Sequence, residues 1–309
     1  MECTIVGRFL YSARKAKGIS QEDLSYGVCN RTTLSRIENG SILPGLKQIE
    51  VFFTRLGYRV PDNIVALTKA DKKRCDLENT LNLLSDLRDP RREDLLREYK
   101  NCHPSWGKLE NQFYLLQKGA FVSQYDERLL ESIGIFEEAL RLTIPDFSVE
   151  EEIPNHLLSI KEIALINAIA HSEYYLFEFD KKYVRLKTRA ISRMRFLKQY
   201  FERHFDDFES WSIYSLILFN LTNWVGLDGG IIEAKYLSER ALQVEKSSLT
   251  YFILHLYNYG YTLASQKKYS EAKRVLRHYL HLYPLIDSHN DIEKDVIDLN
   301  QKFGFDFAL

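Results

Sequence analysis

Cysteine is scarce in this chain, and no cysteine is spaced to work with another. Cys3, Cys29, Cys75 and Cys102 are the four in 309 residues, with no CxxC and no Cys/His spacing. That argues against a zinc site or a disulfide framework and fits a reducing cytoplasm. Cys29 reads as a small buried residue in a turn rather than a redox switch. Net charge is also nearly absent, at −1, and alone says nothing about nucleic acid. Long apolar runs are missing. The most apolar window, Trp211 to Leu227, holds Asn220, Thr222 and Asn223, which a bilayer would leave badly placed, so a buried helix is expected there and no membrane span. Arg8 interrupts the apolar run near the N-terminus, so no secretory signal is visible and a cytoplasmic location is expected.

Catalytic constellations are missing too. His278 and His281 share a helix face, and Glu137-Glu138 and Glu150 to Glu152 are carboxylate runs. None is accompanied by a nucleophile, a Gly-rich phosphate loop or a full metal set. They read as packing residues and solvated faces. The expectation is a protein that is not an enzyme and uses no cofactor or metal.

What the chain does have is helical patterning throughout. It is 45% apolar and 28% charged, globular in composition and long enough for two domains. Residues 1–60 carry nine Lys/Arg against five Asp/Glu, a surplus of four, and the remainder carries −5. A basic head on an acidic body suits a protein of which only the head should meet phosphate.

Residues 20–40, SQEDLSYGVCNRTTLSRIENG, are the most informative stretch. Ser20 with Asp23 is a capping arrangement that starts a short helix, and Leu24 and Val28 fall on its inner face. The chain turns around Gly27 to Asn30. A second helix is expected from about Arg31 to Asn39, with Leu34 and Ile37 inward and Arg31, Thr32, Thr33, Ser35 and Arg36 outward. Gly40 closes it in the left-handed conformation. The outward set suits the DNA major groove: Arg forks onto guanine, Thr methyls touch thymine, and Asn30 and the hydroxyls bond to bases or phosphate.

This segment resembles the lambda-repressor/Cro type of helix-turn-helix. The likeness extends upstream to Phe9, Leu10, Arg14 and Lys17-Gly18-Ile19, and downstream to Pro44, Leu46, Ile49, Phe53 and Leu56-Gly57. It implies a structural ion pair between Arg14 and Glu38, and a contact from Gln21 to the DNA backbone or an outer base. Lys47 and Arg55 are expected phosphate contacts. Between Leu24 and Leu34 the chain is one residue shorter than the commonest version, a form more similar to the peptide-responsive RNPP/Rgg regulators.

Beyond residue 60 no strand is expected. Helices are predicted near 63–68 and over 74–87, 91–102, 106–118, 126–142, 157–177, 182–203, 209–223, 231–245, 249–265, 270–281 and 288–302, punctuated by Pro90, Pro104, Pro145, Pro154, Gly229-Gly230 and Pro284. From Thr250 to Pro284, the residues Leu256, Tyr259-Gly260, Leu263, Tyr269, Ala272, Leu276 and Pro284 sit at the spacings of a tetratricopeptide (TPR) repeat. Small Gly260 and Ala272 let two antiparallel helices approach closely. Trp211 to Glu245 fits the same frame, with Thr222 in the small position. The expected fold is all-α: a five-helix head over 1–60, a linker with a short helix over 61–75, and a right-handed superhelical TPR-like domain over 76–309.

A TPR stack has a concave groove that takes extended peptides. Asn220 and Asn258 share one repeat position, and Asn167 lies comparably one pair earlier. With Asn223 they form a candidate amide ladder for a peptide backbone, with Phe219, Tyr257 and Tyr261 as side-chain pockets. The same amides would serve equally well bonded to neighbouring helices.

A helix-turn-helix followed by TPR-like repeats, together with LLSIKEIALINAIA (157–170), resembles the RNPP/Rgg regulators. The resemblance implies a homodimeric, quorum-sensing transcription factor that binds a double-stranded DNA operator and a short imported signalling peptide. The alternative is a helix-turn-helix regulator whose repeats are a dimerisation and protein-docking scaffold without a peptide.

Overall fold

The Ser20 hydroxyl accepts from the Asp23 backbone N–H at 3.0 Å, and the Asn30 side-chain Oδ1 accepts from the Thr33 backbone N–H at 2.7 Å. Two short helices therefore start where the sequence offers oxygen acceptors to unpaired amides. They belong to a computed structural model that describes residues 2–60, 69–84, 89–102, 107–207, 211–245, 248–286 and 292–307. All regular structure in the described residues is helical.

The head comprises α1 (Glu2–Ala16), α2 (Gln21–Ser25), α3 (Arg31–Glu38) and α4 (Leu46–Arg55). Its core is Leu10, Ala13, Leu24, Val28, Leu34, Ile37, Ile49, Phe52, Phe53 and Leu56. Residues 2–60 thus hold four helices where five were expected within 1–60, and the separate linker helix expected near 63–68 lies outside the described residues. Gly40, at φ +79°, ends α3 as expected, with its N–H on Ile37 O and the Ser41 N–H on Arg36 O.

The body follows as α5 (Lys69–Leu83), α6 (Arg91–Asn101), α7 (Lys108–Val122), α8 (Leu129–Arg141), α9 (Ile160–Phe179), α10 (Val184–His204), α11 (Ser212–Leu227), α12 (Ile231–Val244), α13 (Leu249–Ser265), α14 (Tyr269–Leu282) and α15 (Ile292–Phe303). Asp71 to Arg74 lie inside α5, which begins at Lys69 and ends at Leu83 against the expected 74–87. The chain divides into two compact units: Met1–Arg193 with His204–Asp206, and Met194–Arg203 with Asp207–Leu309.

In the first unit the head is packed onto the body. Gly27, at φ +66°, shows why the turn holds glycine: a Cβ there would lie 1.8 Å from Thr143 O. Tyr26 donates to Asp146 at 2.7 Å and stacks on the His156 ring at 4.0 Å. Leu109 of α7 joins the head's core.

In the second unit the helices pack as antiparallel neighbours, α11 with α12 and α13 with α14, and α13 also packs on α11. A Cβ at Gly260 would come within 2.6 Å of Leu276, so the predicted small position is where α13 and α14 touch. Ala272 is fully buried beside it. The last helix and tail cover this pair: Val296, Leu299, Phe305 and Phe307 pack with Leu263, Ala264 and Leu276. Asn300 holds the tail through a reciprocal pair with the Phe307 backbone, at 2.9 and 3.0 Å.

Candidate DNA-binding face and repeat-domain cavity

Helix α3 has an inner face of Leu34, Ile37 and Glu38, all buried, and an outer face on which Arg31, Thr32 and Arg36 are exposed and Thr33 and Ser35 half-exposed. Among the described residues neither Arg31 nor Arg36 is paired with a carboxylate, so both guanidiniums stand free in solvent. Open concave surface beside Arg31 is lined by Tyr11, Lys15, Ser20 and Gln21.

Beneath this face α3 is pinned to α1. Arg14 grips Glu38 with two parallel bonds, Nε to Oε1 at 2.6 Å and Nη2 to Oε2 at 2.8 Å, and its third donor reaches Ile19 O at 2.9 Å. The bond to Glu38, opposed by burial, lifts the Arg14 guanidinium above its ordinary pKa. Such a fork fixes orientation as well as distance. Gln21 donates to the same Glu38 carboxylate at 2.7 Å, so its amide braces the ion pair from the start of α2. Asn30 is exposed, but its side-chain oxygen is engaged as the α3 cap.

Two expected phosphate contacts are corrected by the fold. Arg55 is buried; it donates to Leu24 O at 3.2 Å, to Tyr26 O at 2.6 Å and to Glu162 at 2.7 Å. Lys47 lies between Glu50, at 3.1 Å, and Glu78. Burial opposes the Lys47 charge, but the two carboxylates outweigh it and push its pKa up. Both cations are spent on internal carboxylates, of which Glu78 of α5 and Glu162 of α9 arrive from far along the sequence. No local pattern announces those two partners.

Glu50 is the counterpart. Burial alone would raise its carboxyl; Lys47 and Lys161, the latter at 3.6 Å, bring it down to about 2. Glu162 is fully buried, and Arg55, Thr143 and the Ser159 N–H together overcome the burial penalty and hold it below the usual carboxylate range.

In the second unit a cavity of about 460 Å³ is lined by Thr222, Asn223, Tyr257, Asn258 and Tyr261 together with residues of α15. Four of the expected peptide-binding residues, Asn223, Tyr257, Asn258 and Tyr261, thus share one space. Burial and the nearby Asp295, Tyr261 and Asp298 raise Tyr257 well above the ordinary phenol, so it is a neutral hydroxyl. Asn258 spends its N–H on Phe219 O at 3.3 Å, linking α13 to α11. Asn220 is buried with its amide nitrogen unpartnered among the described residues, as is the Thr222 hydroxyl. Phe219 is half-buried beside His255 rather than on the cavity wall. Asn167 lies in the other unit, buried in α9 with its carbonyl oxygen unpartnered.

Among the described residues no cluster of His, Cys, Asp and Glu is placed to hold a metal, and no described helix is long and apolar enough to cross a membrane.

Residues 10–60 match the helix-turn-helix family. No curated protein matches the chain in sequence. In structure it is similar to Bacillus thuringiensis PlcR, solved in complex with the peptide PapR7 and DNA. The TM-score is 0.58 at 14% identity, over 94% of this chain and 98% of that one. Streptococcus dysgalactiae Rgg2, an SHP pheromone receptor, aligns over 96% of this chain and 97% of that one at 14% identity and a TM-score of 0.37. The chain therefore has a helix-turn-helix head and the all-helical fold of PlcR over nearly its whole length.

Proposed function

We propose that the chain is a cytoplasmic transcriptional regulator that binds a double-stranded operator through α3 and a short signalling peptide through its repeats. The observation that carries the DNA half is the free outer face of α3. Buried polar groups are normally hydrogen-bonded, and Arg14, Gln21, Lys47 and Arg55 are satisfied within the protein, while Arg31 and Arg36 are left to solvent on α3, inside the matched helix-turn-helix segment. We assign base reading to Arg31, Thr32 and Arg36, with Thr33 and Ser35 near the phosphates.

The peptide half is supported by the cavity between α11, α13 and α15, by the amides lining it, and by the likeness to a protein solved with peptide and DNA. A homodimer accompanies this reading, because a two-fold protein presents two heads to half-sites one helical turn apart. Peptide binding would favour one arrangement of the repeats and so bias the heads.

The test is selection of duplexes from a random double-stranded library by the full chain, followed by titration of the enriched site against salt. A log–log fall in affinity with salt is expected. Binding that shows neither sequence preference nor salt sensitivity would end the regulator reading.

A further inference from the structure

Three of the four amides in the ladder read from the repeats lie on α11 and α13, yet the cavity has a third wall. Asp298, Leu299, Gln301 and Lys302 of α15 close it opposite Asn223 and Asn258. Asp298 and Lys302 are four residues apart, the helical spacing at which opposite charges commonly pair. Among the described residues they form no ion pair with each other or with any other side chain. Lys302 instead donates its Nζ proton to the Tyr261 hydroxyl and lies 4.8 Å from the centre of that ring. Its charge is thereby held at the cavity rim while its side chain is exposed. Thr222 is 2% exposed and its hydroxyl has no partner among the described residues, whereas Thr262 on the next repeat helix satisfies its hydroxyl on Asn258 O at 2.7 Å.

An anchored cation without a counter-ion, beside an unsatisfied buried hydroxyl and two amides, is a place for an anion followed by peptide groups. The volume, about 460 Å³, falls within the range of small-ligand sites and suits the end of a chain rather than its length. We propose that this cavity seats the carboxylate end of the signalling peptide: Lys302 takes the terminal carboxylate, Thr222, Asn223 and Asn258 take the adjoining backbone groups, and Asp298 repels acidic side chains near that end. The assignment rests on the peptide-receptor reading above.

The probe is a library of heptapeptides made twice, with free C-terminal carboxylates and as C-terminal amides, presented to the full chain in affinity-selection mass spectrometry. The best binder is then titrated in both forms against the natural chain, Lys302→Gln and Lys302→Arg. Amidation is expected to weaken binding roughly tenfold. Lys302→Gln should weaken the carboxylate form by a similar factor and leave the amide form unchanged, with Lys302→Arg restoring the difference. Lys302 is exposed, so these substitutions leave the fold intact. Equal affinity of the two forms, or an equal loss for both in Lys302→Gln, overturns the assignment while the peptide reading stands. No binding of either form removes both.

Discussion

Arg55 Nη2 lies 2.7 Å from Glu162 Oε1, and neither side chain has any exposure to solvent. The pair joins the last turn of the DNA-binding head to the first turn of α9, where Glu162 also closes a capping box by accepting from the Ser159 N–H at 2.5 Å. Five residues further along the same helix stands Asn167. The head is thus fixed to a helix of the repeat domain by an ion pair that cannot be solvated if it is split.

Removing one partner leaves a buried charge uncompensated, a loss of about 3–5 kcal/mol. Glu162→Gln is therefore expected to lower the urea midpoint of the full chain sharply. Replacing both residues, as Arg55→Met with Glu162→Leu, should recover much of that loss. A single substitution with an unchanged midpoint would show that the pair does not hold the head.

The outer face of α3 should behave in the opposite way. Arg31→Ala and Arg36→Ala are each expected to cost about 1–3 kcal/mol of operator affinity with little change in thermal midpoint. Lys47→Ala should lower the midpoint, because it takes the shared cation away from Glu50 and Glu78, and should leave the slope of log affinity against log salt unaltered. A reduced slope for Lys47→Ala would return that lysine to the phosphate-contact set.

Acid should unfold the chain partly through Glu50. Its folded pKa of about 2 lies below the ordinary 4.5, so the folded state holds the ionised form more tightly than the unfolded state does. The stabilisation is complete above pH 4.5 and is lost as pH falls toward 2. Denaturation followed from pH 6 to pH 2 should show a shallower decline in Glu50→Gln than in the natural chain. Parallel curves would mean that Lys47 and Lys161 do not bind this carboxylate in solution.

Two glycines in helix interiors should respond with opposite signs. At Gly260 an added methyl meets Leu276 at 2.6 Å, so Gly260→Ala is expected to destabilise by about 1–3 kcal/mol. Gly134 in α8 is exposed and a Cβ there meets nothing within 4 Å. Gly134→Ala should stabilise by about 0.4–1 kcal/mol through the unfolded chain. Calorimetric melting of the two variants checks both, and a stabilised Gly260→Ala would contradict the close α13–α14 contact.

Two of the four ladder amides should also separate. Asn258 links α13 to α11 through Phe219 O, so Asn258→Ala is expected to cost about 1 kcal/mol of stability. Asn220 has an unpartnered amide nitrogen, so Asn220→Ala should cost little stability while weakening peptide binding by about 1–3 kcal/mol. Unchanged calorimetric affinity in Asn220→Ala would take that residue out of the site.

The sequence alone determined whatever depends on neighbours along the chain. Ser20 with Asp23, and Gly40, set helix ends because a cap is a contact within a few residues. The outer and inner faces of α3 follow from helical period, and the tight α13–α14 seam follows from Gly260 and Ala272 at repeat spacing. The partners of long cations were not legible. Arg55 and Lys47 look like surface charges in a basic head, and only the fold brings Glu162, Glu78 and Lys161 to that place from 31 to 111 residues away. The third wall of the cavity, from Asp298 to Lys302, was hidden for the same reason. A local pattern records a residue's own helix, whereas the choice between a charge facing solvent and one facing a carboxylate is made by which helices pack together.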